Sequence, residues 1–269
     1  MLLVIKLGGS ILKEGASGDL VADLKEVLKE HKAVLVHGGG VEVTETAKKL
    51  GKEQQFIISP EGFRSRYTDK ETIDIYTMVM AGKINKQIVL ALQSQGIAAV
   101  GLSGLDAQIL QAERKKRLIA VDERGRKRVM DGGYTGKINH VNTALLHVLL
   151  EKGYTPIVTP IAMSEEFEPL NVDGDRTAAI IAGALKADKL ILLTDVQGLM
   201  LKGERIAKIG SSEVKEVLSS IGAGMSTKVH AATEALNAGV SEALITAGSG
   251  KAPISSALKH ETGTVITRE

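Results

Sequence analysis

Cysteine and tryptophan are both absent from the 269 residues. Without cysteine there can be no disulfide framework, no thiolate metal site and no cysteine nucleophile. Aromatic residues make up only 3%, too few for the stacking platforms that hold single-stranded nucleic acid. No run of about 18 uncharged apolar residues occurs, which excludes a conventional transmembrane helix. The N-terminal segment Met1 to Lys6 reads directly as an apolar strand with no charged leader or cleavage site, so a cytoplasmic protein is expected. Proline is scarce, with 5 residues, whereas glycine is plentiful, with 29, which predicts many places where backbone must turn tightly or approach something closely. What remains is ordinary: 43% hydrophobic and 25% charged residues, the proportions of a folded globular chain long enough for one large α/β domain or two fused lobes.

Charge is unevenly spread. The formal net charge is +2, yet Glu113 to Arg128 holds eight basic residues against three acids, a local +5 that leaves the rest mildly acidic. Arg114, Lys115, Lys116 and Arg117 lead this run, and Arg124, Arg126, Lys127 and Arg128 follow. Such a patch either solvates a hairpin or meets an anionic partner. No aromatics interleave the basic residues, so nucleic acid is not the expected partner.

Hydrophobic periodicity alternates between strand and helix. Leu2 to Leu7 and Ala33 to Val36 are short apolar runs, and between them Leu20, Leu24, Val27 and Leu28 repeat at helical spacing. A long helix is predicted from Thr68, with Thr68 and Glu71 as a capping box, through Ile73, Tyr76, Met80, Ile84 and Ile88. Further strands are predicted at Ala98 to Leu102, Ile157 to Thr159, Leu190 to Leu193, Ala243 to Thr246 and Val265 to Thr267. Helices are expected at Thr177 to Leu185 and Val229 to Asn237, the latter stopped by Gly239. Repeated βαβ units imply a parallel sheet covered on both faces. Leu118 to Val121 and Arg128 to Met130 flank Arg124-Gly125 and read as a β-hairpin excursion. A lobe boundary is expected near residue 165, dividing 1–165 from 166–269.

Two glycine loops follow the first two strands, Lys6-Leu7-Gly8-Gly9-Ser10 and His37-Gly38-Gly39-Gly40. Loops at the carboxyl ends of parallel strands are where open α/β sheets bind ligands, and glycine lets backbone N–H groups approach phosphate oxygens. Lys6 supplies a cation at the mouth of the first loop. Gly248-Ser249-Gly250-Lys251 only imitates a P-loop: Ile245 occupies the position of the leading glycine and Ala252 that of the magnesium-binding hydroxyl. His37 has no Gly-x-Ser-x-Gly to serve, and the six histidines show no zinc spacing.

Taken in order, Lys6-x-Gly-Gly, His37-Gly-Gly-Gly, Asn171-Val-Asp-Gly-Asp175, Thr194-Asp195-Val-x-Gly198 and Gly224-Met225-x-x-Lys228 resemble the amino acid kinase family, nearest to its acetylglutamate kinase branch. The resemblance covers the whole chain. It implies a three-layer αβα sandwich around a mainly parallel sheet, and ATP-dependent phosphorylation of a side-chain carboxylate to an acyl phosphate. The N-terminal lobe would hold the acidic substrate and support dimerisation, and the C-terminal lobe would hold ATP. By similarity Lys6 and Lys228 are the transition-state cations and Asp175 positions them. Gly39, Gly40, Arg64, Asn171 and Asp173 would contact substrate, and Gly8, Gly9, Asp195 and Gly198 the nucleotide. Mg²⁺ would travel on the ATP phosphates, with no metal site of the protein's own.

Three departures from the acetylglutamate enzymes resemble kinases of the lysine route that act on substrates joined to an amino-group carrier protein. Asp173 stands where those enzymes usually carry asparagine, Arg66 follows Arg64, and the hairpin from Arg114 onward is strongly basic. Gly132-Gly133-Tyr134-Thr135-Gly136 fits the same subgroup. The implied substrate is carrier-linked 2-aminoadipate, with carrier-linked glutamate of arginine synthesis a second candidate. Arg66, Arg114, Lys115, Lys116 and Arg117 would dock the small acidic carrier. Free N-acetylglutamate is the alternative substrate, and a non-catalytic nucleotide or amino-acid sensor the alternative role. Because the first strand starts at Leu2, with no helix before it, a homodimer insensitive to arginine is expected.

Overall fold

The computed structural model describes residues 1–269 other than 13–15, 61, 123, 202 and 218–220, and the side chains of 215 and 223. Glu123, within the basic segment from Glu113 to Arg128, lies outside the described residues, as does Glu61 near Arg64.

Eight strands form one sheet in the order Lys208–Gly210, Thr264–Thr267, Glu242–Ala247, Lys189–Thr194, Leu2–Leu7, Lys32–His37, Thr155–Thr159, Ala99–Ser103. Every pairing is parallel except that between Glu242–Ala247 and Thr264–Thr267. The four strands from residues before 166 make one half of the sheet and the four later strands the other. Leu2–Leu7 and Lys189–Thr194 meet at the seam, paired from Leu3 with Lys189 to Leu7 with Leu193.

Alternation along the strands divides the core in two. Val4, Val34, Val36, Leu190 and Leu192 face one side, against helices Ala144–Glu151, Gly174–Ala184 and Ala223–Asn237. Leu3, Ile5, Leu35, Ile191 and Leu193 face the other, against Gly18–Glu30, Gly40–Lys49, Pro253–Leu258 and a long helix beginning at Lys70. Both faces of the sheet are therefore buried, and the strands read as continuous apolar runs rather than alternating ones. The expected αβα sandwich is the observed architecture.

One capping prediction is corrected. The long helix begins at Lys70 with Asp69, not Thr68, as its N-cap, and the Asp69 carboxylate accepts the Thr72 N–H at 2.8 Å. Glu71 is drawn away to Lys52 at 2.9 Å, so the capping box with Thr68 does not form. The same helix passes through a π segment, Met78–Ile84, before continuing as Asn85–Gln93.

Beyond the main sheet, the hairpin excursion is present as Arg117–Val121 paired with Lys127–Asp131, turning at Gly125 with φ 74°. A four-stranded sheet of Pro169–Asn171, Ile161–Met163, Leu110–Arg114 and Gly136–Val141 supports it. A short hairpin, Phe56–Ile58 with Arg64–Arg66, stands beside it. Among the described residues no helix is long and apolar enough to cross a membrane.

Candidate active site

The two glycine loops lie side by side at the carboxyl ends of adjacent strands. A Cβ on Gly9 would come within 2.9 Å of the Gly39 nitrogen, and one on Gly38 within 2.9 Å of the Gly9 nitrogen. Only glycine allows backbone to press against backbone in this way. Gly39 is enclosed from the other side as well, since its Cβ would strike Ile84 of the π segment at 2.1 Å. Neither Gly9 nor Gly39 donates its N–H to a protein acceptor among the described residues. Paired donors of this kind form an anion cradle.

Lys6 reaches the same place from the end of the first strand. Its Nζ lies 2.7 Å from Asp175 Oδ1, while Lys228 Nζ lies 3.1 Å from Asp175 Oδ2. Asp175 sits in the first turn of Gly174–Ala184 and Lys228 in the second turn of Ala223–Asn237, so three separate elements converge on one carboxylate. Lys6 and Asp175 are 7% and 5% exposed and Lys228 is half-buried, in a triad that carries one net positive charge. Burial pushes the Asp175 carboxyl up, but Lys6 and Lys228 together outweigh it and hold the group below its usual range. Two cations sharing one buried anion are costly to desolvate unless a further anion completes the set.

Lys6 and Asp175 line a cleft of about 950 Å³ together with Gly39, Gly40, Arg64, Asn171 and Asp173, whereas Lys228 and Gly9 are not part of that lining. Arg64 stacks its guanidinium 3.7 Å from the centre of the Phe56 ring, and its N–H groups have no protein acceptor among the described residues. A guanidinium supported on its face keeps its edge free for a carboxylate. Asn171 is held by a 3.0 Å hydrogen bond from its Nδ2 to the Thr68 hydroxyl. Asp173 accepts the Arg176 N–H at 2.8 Å as N-cap of the following helix. Burial and the neighbouring Asp175 raise its carboxyl above the ordinary aspartate value.

Other expected residues lie elsewhere. Asp195 is exposed at the end of Lys189–Thr194, outside the cleft lining, and takes a 3.0 Å hydrogen bond from Thr194. Gly198 is buried: a Cβ there would meet the Thr264 hydroxyl at 2.7 Å, so its small size serves packing of the loop. Gly8 donates its N–H to Leu193 O at 3.0 Å, tying the first loop to the neighbouring strand.

Arg66 is a correction. It is only 9% exposed and donates to Gly40 O at 2.7 Å, Thr44 Oγ1 at 3.0 Å and Gln54 Oε1. It braces the second glycine loop from inside the cleft wall and offers no docking surface. Arg114 is likewise engaged, donating to Gly133 O at 2.7 Å, pairing with Glu168 at 2.9 Å and lying over Tyr134. Lys115, Lys116 and Arg117 are exposed and form no ion pair among the described residues. Desolvation at the cleft mouth and the nearby Arg176 lower the Lys115 amine below its usual value.

Sequence reasoning missed Arg176, which lines the cleft and grips Glu234 through two hydrogen bonds of 3.0 and 2.8 Å. Its signal was its position immediately after Asp175. It also missed Phe56, one of only three phenylalanines.

The amino acid kinase family model matches residues 1–247. The chain belongs to the amino acid kinase family. A protein of Nitrosopumilus maritimus (strain SCM1) is 50% identical over all of both chains. The LysW-aminoadipate/LysW-glutamate kinase of Sulfurisphaera tokodaii is 46% identical over 98% of this chain and 100% of its own, and that of Saccharolobus solfataricus is 43% identical over 98% and 99%. Among solved structures, the smu.665 protein from Streptococcus mutans UA159 superposes with a TM-score of 0.80 at 28% identity, covering 100% of this chain and 99% of that one. Carbamate kinase from Giardia shares the amino acid kinase fold, with a TM-score of 0.70 at 17% identity over 100% and 99% of the two chains.

Proposed function

We propose that this amino acid kinase transfers the γ-phosphoryl group of ATP to the side-chain carboxylate of 2-aminoadipate linked to an amino-group carrier protein. Carrier-linked glutamate is its second substrate, which places the enzyme in lysine and arginine biosynthesis. The observation that carries the reading is the convergence of Lys6 and Lys228 on Asp175 beside two paired glycine loops. The names of relatives 43% and 46% identical over nearly the whole chain support the choice of acceptor.

The acceptor carboxylate, with a pKa of about 4, is already ionised near neutral pH, so the residues need supply no general base. Their task is to bring two anions together and to neutralise charge on the oxygens of the migrating phosphoryl group. Lys6 and Lys228 do this from opposite halves of the fold, with Asp175 keeping both amines aimed at one place. The N–H groups of Gly9 and Gly39 add donors that cost no reorganisation. Arg64, stacked on Phe56, takes the free α-carboxylate of the acceptor, and Asn171 orients it. Mg²⁺ would come with the nucleotide phosphates and would supply charge neutralisation there. The 1–165 half of the sheet then carries the acceptor and the 166–269 half, with Asp195 at its strand end, the nucleotide.

Lys115 lines this cleft, Lys116 and Arg117 follow it in the chain, and all three are exposed with no ion pair among the described residues, which suits an acidic carrier. Met78 and Leu90 remain 58% and 66% exposed on the long helix, which suits a homodimer. The substrate is tested by trapping acyl phosphate with hydroxylamine, offering carrier-linked aminoadipate, carrier-linked glutamate and free N-acetylglutamate in parallel. Trapping on the carrier-linked substrates is expected; turnover of free N-acetylglutamate alone would refute the carrier.

A further inference from the structure

His37 is completely buried beneath the second glycine loop, where it meets two other fully buried polar side chains, Asn85 and Thr159. Its Nδ1 lies 3.0 Å from the carbonyl oxygen of Gly38. Its Nε2 lies 2.9 Å from Thr159 Oγ1 and 3.4 Å from Asn85 Nδ2. A carbonyl oxygen can only accept, so the proton must reside on Nδ1, and Nε2 must accept from Thr159 or Asn85. Asn85 is itself fixed, donating to Ile157 O at 3.0 Å and to Thr159 Oγ1 at 3.1 Å. The ring is therefore held in one tautomer and one orientation.

The Gly38 carbonyl and the Gly39 N–H belong to the same peptide unit, and all described peptide bonds are trans. In a trans peptide these two groups point in opposite directions. Drawing the carbonyl down to the buried imidazole consequently turns the Gly39 N–H up, away from the ring. Gly39 lines the cleft together with Lys6, and its N–H has no protein acceptor among the described residues. Glycine at 38 and 39 has no side chain to hold this peptide against a flip, which two adjacent glycines would otherwise allow.

We propose that His37 is a positioning residue for phosphoryl transfer: its Nδ1–H locks the Gly38–Gly39 peptide so that the Gly39 N–H faces the anion in the cleft. Burial keeps the imidazole neutral, with its pKa lowered to about 4, so the lock persists across the physiological range. The role rests on the kinase reading above, although the hydrogen-bond geometry does not.

Two substitutions separate positioning from packing. In His37→Asn the side-chain amide nitrogen can stand where Nδ1 stood and donate to Gly38 O. In His37→Gln the amide reaches toward the Nε2 position and leaves that carbonyl without its donor. With carrier-linked aminoadipate and ATP, H37N is expected to keep kcat within about threefold of the wild type. H37Q is expected to lose about 10- to 100-fold in kcat with little change in KM for ATP, the upper end matching removal of one transition-state donor. Thermal melts of the two variants are expected to fall by similar amounts. Equal kcat losses in the two variants, or losses confined to KM, would overturn the proposal. If the wild type itself does not phosphorylate this substrate, the substrate assignment fails. The lock is then judged by ¹H–¹⁵N imidazole spectra of the wild-type protein. Those spectra are expected to show the Nδ1–H tautomer unchanged from pH 5 to 8; an Nε2–H tautomer, or protonation near neutrality, would also overturn it.

Discussion

Asp175 is the residue on which the site turns, because among the described residues it alone pairs with both amines. Each lysine alone would be an unremarkable cation near a strand or helix end, and the sequence offers no distance between residues separated by more than two hundred positions. The order of the family's motifs made the pairing legible, and the 2.7 and 3.1 Å contacts supply its geometry. Arg66 shows where residue type misleads: a run of basic residues gives charge but not direction, and this guanidinium turns inward to Gly40 and Thr44. Asp173 carries a consequence for stability. Its carboxyl is raised by burial and by Asp175, so it costs stability at pH values where it must ionise, and the cost is relieved as pH falls. Asparagine is an equally good N-cap. Asp173→Asn is therefore expected to raise Tm near pH 8. That advantage should shrink as pH approaches the ordinary aspartate value of 3.8, and thermal melts across that range check it.

At the scale of elements, strands and helices were legible because both faces of the sheet are covered, giving unbroken apolar runs separated by amphipathic helices. The small sheet around Leu110–Arg114 was not, since its strands are three to six residues long and depend on partners distant in sequence. Nor was the π segment, which brings Met80 and Ile84 against Gly39 and has no local signature in the sequence. The helices bearing Asp175 and Lys228 are joined by the two-point contact of Arg176 with Glu234. Both side chains are substantially exposed, so the pair is worth only about 0–1 kcal/mol to folding. Its effect on alignment should be larger. Glu234→Ala is expected to lower kcat several-fold while moving Tm little, and the double exchange Arg176→Glu with Glu234→Arg to recover part of the loss. Steady-state kinetics beside thermal melts would reveal a purely structural pair by equal effects on both.

Over the whole molecule, the sheet is assembled from two sequence halves that meet between Leu2–Leu7 and Lys189–Thr194, and the reactive groups stand at the carboxyl ends of the strands on either side. The hairpin carrying the basic run stands outside this framework. Part of its charge is cancelled internally, because Asp122 pairs with Arg126 at 2.9 Å and Arg128 at 3.3 Å. Lys116 and Arg117 remain exposed. Replacing both by alanine is expected to raise KM for the carrier-linked substrate about tenfold at low salt, with kcat little changed. The difference should fade as ionic strength shortens the Debye length to about 3 Å at 1 M. A salt-independent effect would argue against electrostatic docking.

The two halves and the two glycine loops matter only if Lys6 and Lys228 act on one phosphoryl group in flight. The direct measurement is kcat for Lys6→Ala and Lys228→Ala alongside their equilibrium affinity for ATP. Each variant should lose about 10²–10³-fold in kcat while binding ATP within a few-fold of the wild type. Losses of ATP affinity that match or exceed the fall in kcat would show that the lysines merely anchor nucleotide, and would contradict the account.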